Sequence, residues 1–186
     1  MILYWLFCYL IGNIMTAWWI GKWKKVNLQE KNSGNLGARN AGAVLGKPAF
    51  FITFFGDALK GTAGIAIGYA LHLPEWAIAA GGLMVILGHL FPFWLKGKGG
   101  KGISTFIGTA LTFDPLLFSA FVIGVAITIP IIRSATLSMV AGYVAYIGWI
   151  LISEQYFALP FVLAIGFILL LHIDNLKESW QTLRHK

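Results

Sequence analysis

Charge is what this chain lacks most. Asp, Glu, Lys and Arg make up only 11% of its 186 residues, whereas 58% are hydrophobic. A soluble domain carries about one-quarter charged residues, so a water-facing shell around this chain is excluded. The composition predicts an all-α polytopic membrane protein, a single integral membrane domain over residues 1–186. Acidic residues are the scarcer sign, 7 against 14 Lys and Arg, for a net charge of +7. The surplus sits in loops beside apolar runs, so no separate basic face is left for nucleic acid. One cysteine, Cys8 inside the first apolar run, excludes an internal disulfide. Metal-ligand spacing is missing too, and no cofactor is expected. The first twenty residues have neither a basic start nor a small-residue cleavage site. They are therefore expected to stay as a first membrane helix rather than to leave as a signal peptide. Internal repeats and low-complexity linkers are absent, and no Ser-His-carboxylate triad can be placed.

What is present is a series of apolar runs, at about 1–20, 48–72, 76–95, 103–132, 134–152 and 156–173. About 20 residues cross a bilayer as a helix. Basic residues cluster in three places: Lys22, Lys24, Lys25, Lys31, Arg39 and Lys47; then Lys96, Lys98 and Lys101; then Lys177, Arg184 and Lys186. The positive-inside rule makes these segments cytoplasmic. The links "HLPEW" (72–76) and "SEQY" (153–156) carry no Lys or Arg and belong outside. Consistency then requires the run 103–132 to turn back at "FDP" (113–115), so that Arg133 returns to the cytoplasm. Its first arm, 103–112, is about 15 Å long as a helix and cannot cross alone. A short, partly re-entrant helix shielded by its neighbours is expected there. The prediction is a seven-helix bundle with its N-terminus outside and its C-terminus in the cytoplasm.

Polar chemistry is confined to the basic ends of this bundle. The segment "SGNLGARN" (33–40) combines turn-forming Gly34 and Gly37 with Ser33, Asn35, Arg39 and Asn40. Backbone N–H groups in such a turn form an anion nest, and guanidinium matches phosphate. A second segment, Lys98-Gly99-Gly100-Lys101-Gly102, leads into Ser104 and Thr105 at the start of the short arm. A glycine loop opening a helix is an anion site by dipole and geometry. "GKGGKGIST" lacks the spacing of a nucleotide-binding P-loop, so ATP and GTP are not implied. A third group, His172, Asp174 and Asn175, ends the last apolar run. Within the second run, Asp57 and Lys60 share one helical face and are expected to form an ion pair. They alone would support a transporter. His89 and Pro92 end the third run and are expected to orient the basic loop. The small-residue stretches 61–70 and 79–88 read as close helix packing.

The pieces "YLIGN" (9–13), "SGNLGARN" (33–40), "LGK" (45–47), "GDALKG" (56–61), "GHLFP" (88–92), "KGGKG" (98–102) and "HIDN" (172–175) run along almost the whole chain. In this order and spacing the chain resembles the PlsY family, the bacterial membrane glycerol-3-phosphate acyltransferases. The resemblance implies a multi-pass protein of the bacterial cell membrane, acting in phospholipid synthesis with its site facing the cytoplasm. It implies acyl transfer from acyl phosphate to glycerol 3-phosphate, giving lysophosphatidic acid. By position it assigns catalytic roles to Ser33, Asn35, Lys101, His172 and Asn175. It assigns substrate binding to Gly34, Gly37, Arg39, Asn40, Lys98, Gly99, Gly100, Gly102, Thr105 and Thr136. Arg39 stands where the family usually has Thr, Ala43 where it has Arg, and Leu171 and Ile173 where arginines flank the histidine. A second reading therefore stays open, a divergent relative that binds acyl phosphate or phospholipid without this activity, or that acylates a different acceptor.

Overall fold

The computed structural model describes residues 1–184; Lys186, the last of the C-terminal basic residues, lies outside them. The first apolar run does not form one unbroken helix, as expected for 1–20, but splits into α1 (Ile2–Gly12) and α2 (Thr16–Trp23). The cause is Asn13, whose side chain competes with the helix for backbone partners. Its Nδ2 donates to the Tyr9 carbonyl at 2.7 Å and its Oδ1 accepts from the Phe93 N–H at 2.9 Å. The break frees two carbonyls. Trp94 Nε1 donates to that of Asn13 at 3.1 Å, and Lys60 Nζ to that of Ile14 at 2.6 Å.

The basic loop that follows contains a short helix, α3 (Ala38–Leu45), which ends at Gly46 with φ 89°. Beyond it come α4 (Lys47–Ala70), with proline in its first turn, and α5 (Glu75–Leu90), continued to Leu95 by a 3₁₀ turn. The turn at "FDP" is real. The short helix α6 (Ile103–Phe113) ends at Asp114, which caps α7 (Pro115–Ile132) by accepting from the Leu116 and Leu117 N–H groups at 2.8 and 3.0 Å. Ser134 caps α8 (Ala135–Ile152). Two helices complete the described chain, α9 (Leu159–Leu171) and α10 (Ile173–Arg184), with a 65° bend between them at His172.

Five helical stretches are long and apolar enough to cross a membrane: Ile2–Trp23, Lys47–Ala70, Glu75–Leu95, Pro115–Ile132 and Ala135–Ile152. The bent pair Tyr156–Leu171 and Ile173–Arg184 makes a sixth. The molecule is an all-α, multi-pass membrane protein. At 11 residues, α6 is about 16 Å long and does not span. It is locked inside the bundle by glycine on both sides of its contact with α4. A Cβ on Gly61 would stand 2.6 Å from the Thr105 carbonyl, and one on Gly108 would strike the Ala58 carbonyl. Backbone thus lies on backbone, the contact that small residues permit between membrane helices. From the other side Phe106 anchors α6, its ring edge-on to Tyr143 at 5.0 Å and to Tyr146 at 5.4 Å.

Candidate functional site

The two glycine loops meet. Gln29 Nε2 donates to the Lys98 carbonyl at 3.2 Å, and the Leu36 N–H reaches the Gly99 carbonyl at 3.5 Å. Asn40, 1% exposed, staples the first loop from below. Its Oδ1 accepts from Asn32 Nδ2 (3.1 Å) and the Ser33 N–H (3.2 Å), and its Nδ2 donates to the Leu28 carbonyl (3.0 Å). The second loop is tied to the end of α5. There the Gly99 N–H donates to the Leu90 carbonyl and the Gly100 N–H to the His89 carbonyl, at 3.2 and 3.1 Å. These two N–H groups are spent on closing α5 and are not free for an anion. The donors that remain are the first N–H groups of α6, which have no carbonyl partner within the helix.

Between the loops opens a cavity of about 280 Å³. Its polar wall includes Ser33, Asn35, Arg39, Lys101, His172 and Asn175, and the start of α6 contributes Gly102, Ile103 and Ser104. Its apolar wall is made by Phe50 and Phe54, one helical turn apart on α4 and stacked at 6.2 Å. Lys101 Nζ donates to Asn175 Oδ1, which joins the glycine loop to α10. Burial pushes the Lys101 ammonium below the ordinary lysine value; the Asp174 carboxylate opposes this and the Arg39 guanidinium adds to it. His172 Nδ1 lies 2.8 Å from the Ile168 carbonyl. A carbonyl only accepts, so Nδ1 carries the hydrogen and Nε2 keeps its lone pair in the neutral ring. Below the loops, Lys60 Nζ and Asp57 Oδ1 form the expected ion pair at 3.0 Å. Among the described residues, no three His, Cys, Asp or Glu side chains gather as a metal set.

A family model for glycerol-3-phosphate acyltransferases matches residues 2–182. The chain belongs to this acyltransferase family. A Streptococcus sanguinis glycerol-3-phosphate acyltransferase is 35% identical over 184 residues, covering 93% of this chain and 85% of that protein. A glycerol-3-phosphate acyltransferase 1 from Bacillus cereus is 47% identical over 116 residues, 62% of this chain and 64% of its own length. The chain thus spans just under two thirds of the length of such curated Bacillus relatives. Among solved structures, that of PlsY, an integral membrane glycerol 3-phosphate acyltransferase, in its glycerol 3-phosphate form has a TM-score of 0.88 at 25% identity. That likeness covers 98% of this chain and 92% of the other.

Seen as an acyltransferase-family site, the cavity gathers residues from all three motifs. Ser33, Asn35, Gly37, Arg39, Asn40, Lys101, Gly102, His172 and Asn175 line it together. Arg39 shares the cavity with Lys101 and His172, so a guanidinium is present although the family's usual arginine position is Ala43, which is exposed. Neither neighbour of His172 lines it. Leu171 packs on the core and Ile173 is 41% exposed. Other expected binding residues lie elsewhere. Lys98 is exposed, Gly34 turns at φ 67° beside the Gln29 carbonyl, and Gly99 and Gly100 rest on the end of α5. Thr105 is fully buried toward α4. Thr136 lines a neighbouring cavity of about 270 Å³ with Arg133, and Arg39 and Asn175 border both. Asp57 and His89 line the main cavity although neither was among the expected site residues. The signal was charge and imidazole inside otherwise apolar runs, which in a membrane marks function by default.

Proposed function

We propose that this chain transfers an acyl group from acyl phosphate to the 1-hydroxyl of glycerol 3-phosphate, giving lysophosphatidic acid and phosphate. The observation that carries this reading is one cavity with two chemistries. Arg39, Lys101, His172 and Asn175 form one wall, and Phe50 and Phe54 form the other. Such a site suits a ligand anionic at one end and apolar at the other. Phe51 and Phe55 continue the apolar surface outward at 53% and 56% exposure, a route for a lipid tail. The basic loops at 21–47 and 96–102 favour a cytoplasmic opening under the positive-inside rule. With α1–α2 counted as one segment, α4 to α9 complete a seven-helix arrangement whose N-terminus is outside.

Acyl phosphate is a mixed anhydride and is already activated, so no covalent protein nucleophile is needed. Lys101 and the first N–H groups of α6 hold its phosphoryl group. Asn175 fixes the Lys101 ammonium. Arg39 offers a forked set of donors to the phosphate of the acceptor. His172 Nε2 accepts a hydrogen bond from the acceptor hydroxyl and aligns it. The hydroxyl oxygen bonds to the acyl carbon, the bond from that carbon to the phosphate oxygen breaks, and the hydroxyl proton ends on the phosphate released. Ser33 and Asn35 donate to the charge that develops on the acyl oxygen. The work of the site is positioning, which alone lowers barriers by several kcal/mol.

The test is turnover by the purified protein with palmitoyl phosphate and glycerol 3-phosphate, with lysophosphatidic acid measured by mass spectrometry. Lys101→Ala is expected to reduce the rate about 100- to 1000-fold. No product across a range of acyl phosphates and polyol phosphates refutes the proposal; tight acyl phosphate binding without turnover would identify a binding protein instead.

A further inference from the structure

Charge inside an apolar bundle is costly and persists where it is used. Asp57, Lys60 and His89 are 1%, 6% and 2% exposed. They sit under the second glycine loop, and the chemistry described above leaves them without a task. Their bonding fixes the state of the histidine. An ammonium has three N–H groups and no lone pair. That of Lys60 points to the Ile14 carbonyl (2.6 Å), His89 Nδ1 (2.7 Å) and Asp57 Oδ1 (3.0 Å). Nδ1 is therefore an acceptor, and the neutral ring carries its hydrogen on Nε2. Asp57 balances the charge of Lys60 and also accepts from Thr16 Oγ1 at 3.2 Å.

The ring is also aimed. His89 lines the main cavity, and its Nε2 has no protein acceptor among the described residues. Gly100 crosses directly over the ring, where a Cβ would collide with Nε2 and Cε1. The loop that carries Lys101 thus rests on the one edge of His89 that still has a hydrogen to give.

We propose that His89 is an anion-binding residue of the phosphoryl site. Its Nε2–H, held in that tautomer by Lys60, donates to a phosphoryl oxygen seated between Lys101 and the start of α6. Lys60 and Asp57 are positioning residues that act through His89. This assignment rests on the acyl phosphate reading of the cavity, so the two must be separable by experiment.

The first measurement needs no substitution. Protein labelled with ¹⁵N in histidine and lysine side chains, in detergent micelles, is titrated with inorganic phosphate. The expected spectrum shows His89 with its hydrogen on Nε2, and that resonance moves together with Lys101 as phosphate binds. A hydrogen on Nδ1, or a Lys101 shift with a stationary His89, overturns the assignment and leaves the acyl phosphate reading intact. No shift at either residue, with no turnover, defeats both. The second measurement compares variants by turnover. His89→Phe keeps the ring volume without the donor and should raise KM for acyl phosphate about 10- to 100-fold, the scale of a hydrogen bond to a charged group. His89→Gln restores an N–H at the far end of the side chain and should recover most of that loss. Equal impairment of both variants overturns the assignment, since a purely structural histidine would not distinguish them.

Discussion

Replacing Lys60 by methionine keeps its unbranched stem to Cε but removes the only cation beside Asp57 among the described residues. Three contacts vanish together: those to the Ile14 carbonyl, His89 Nδ1 and Asp57 Oδ1. The Asp57 carboxylate, 1% exposed, is left with Thr16, which donates through its hydroxyl at 3.2 Å and through its backbone N–H. Stripping one partner from a buried ion pair costs about 3–5 kcal/mol, because the other charge stays behind uncompensated. For a chain of this size 1 kcal/mol shifts the midpoint by about 2–4 °C, so a fall of about 6–20 °C is expected. The eight tryptophans supply the signal, read as fluorescence on heating in detergent. Asp57→Asn should cost less, because Lys60 keeps the Ile14 carbonyl and His89 as acceptors. The double variant should lose less than the two single losses added together, by about 1 kcal/mol or more, since no orphan charge remains. A midpoint drop under about 3 °C for Lys60→Met, or strict additivity of the pair, refutes the reasoning.

Further outcomes follow from the surroundings of Lys101, Gly108 and Gly148. With its value depressed by burial, Lys101 loses its charge at lower pH than an ordinary lysine. Activity should therefore fall on the alkaline side as pH rises through the folded-state value, and in Lys101→Arg the residual activity should lack that limb. The linked stability has the opposite sense. Between the folded value and the ordinary 10.5 the unfolded chain holds more protons, so this group's contribution to stability rises with pH. Gly108→Ala drives a Cβ into the Ala58 carbonyl and should cost about 1–3 kcal/mol in the same melting assay. Gly148→Ala, on α8 with open space around its Cβ, should instead stabilise by about 0.4–1 kcal/mol.

Much of the bundle was legible because hydropathy records burial in lipid residue by residue. The runs 48–72 and 134–152 became Lys47–Ala70 and Ala135–Ile152, and the turn at "FDP" became a shared cap at Asp114. What composition did not carry was competition for backbone partners. Asn13 breaks the first helix through bonds to Tyr9 and Phe93, and Phe93 lies far along the chain. Likewise α3 formed inside a stretch rich in glycine and asparagine that had no apolar period to announce it. At the site, the polar loops stood out against an apolar background, and their motifs do share one cavity. Glycine density was a poorer guide. It signals backbone freedom, but at Gly99 and Gly100 that freedom serves a close approach to His89 and Leu90. Asp57 and His89 were visible as odd residues in apolar runs. That α4 and α5 lean over the same cavity is a property of the packed helices alone.

The bonds from Gln29 to the Lys98 carbonyl and from Leu36 to the Gly99 carbonyl join two segments some seventy residues apart. Asn40 then holds one of them to Leu28, and the end of α5 holds the other. Separate mobile loops would each surrender conformational freedom on closing around a phosphate, at about 1–2 kcal/mol for every backbone residue ordered. Here that freedom is surrendered during folding, before any ligand arrives. On the function proposed above, a small dianion entering the cavity meets a rigid jaw, and what it gains from Lys101 and Arg39 goes into affinity and orientation rather than into building the site.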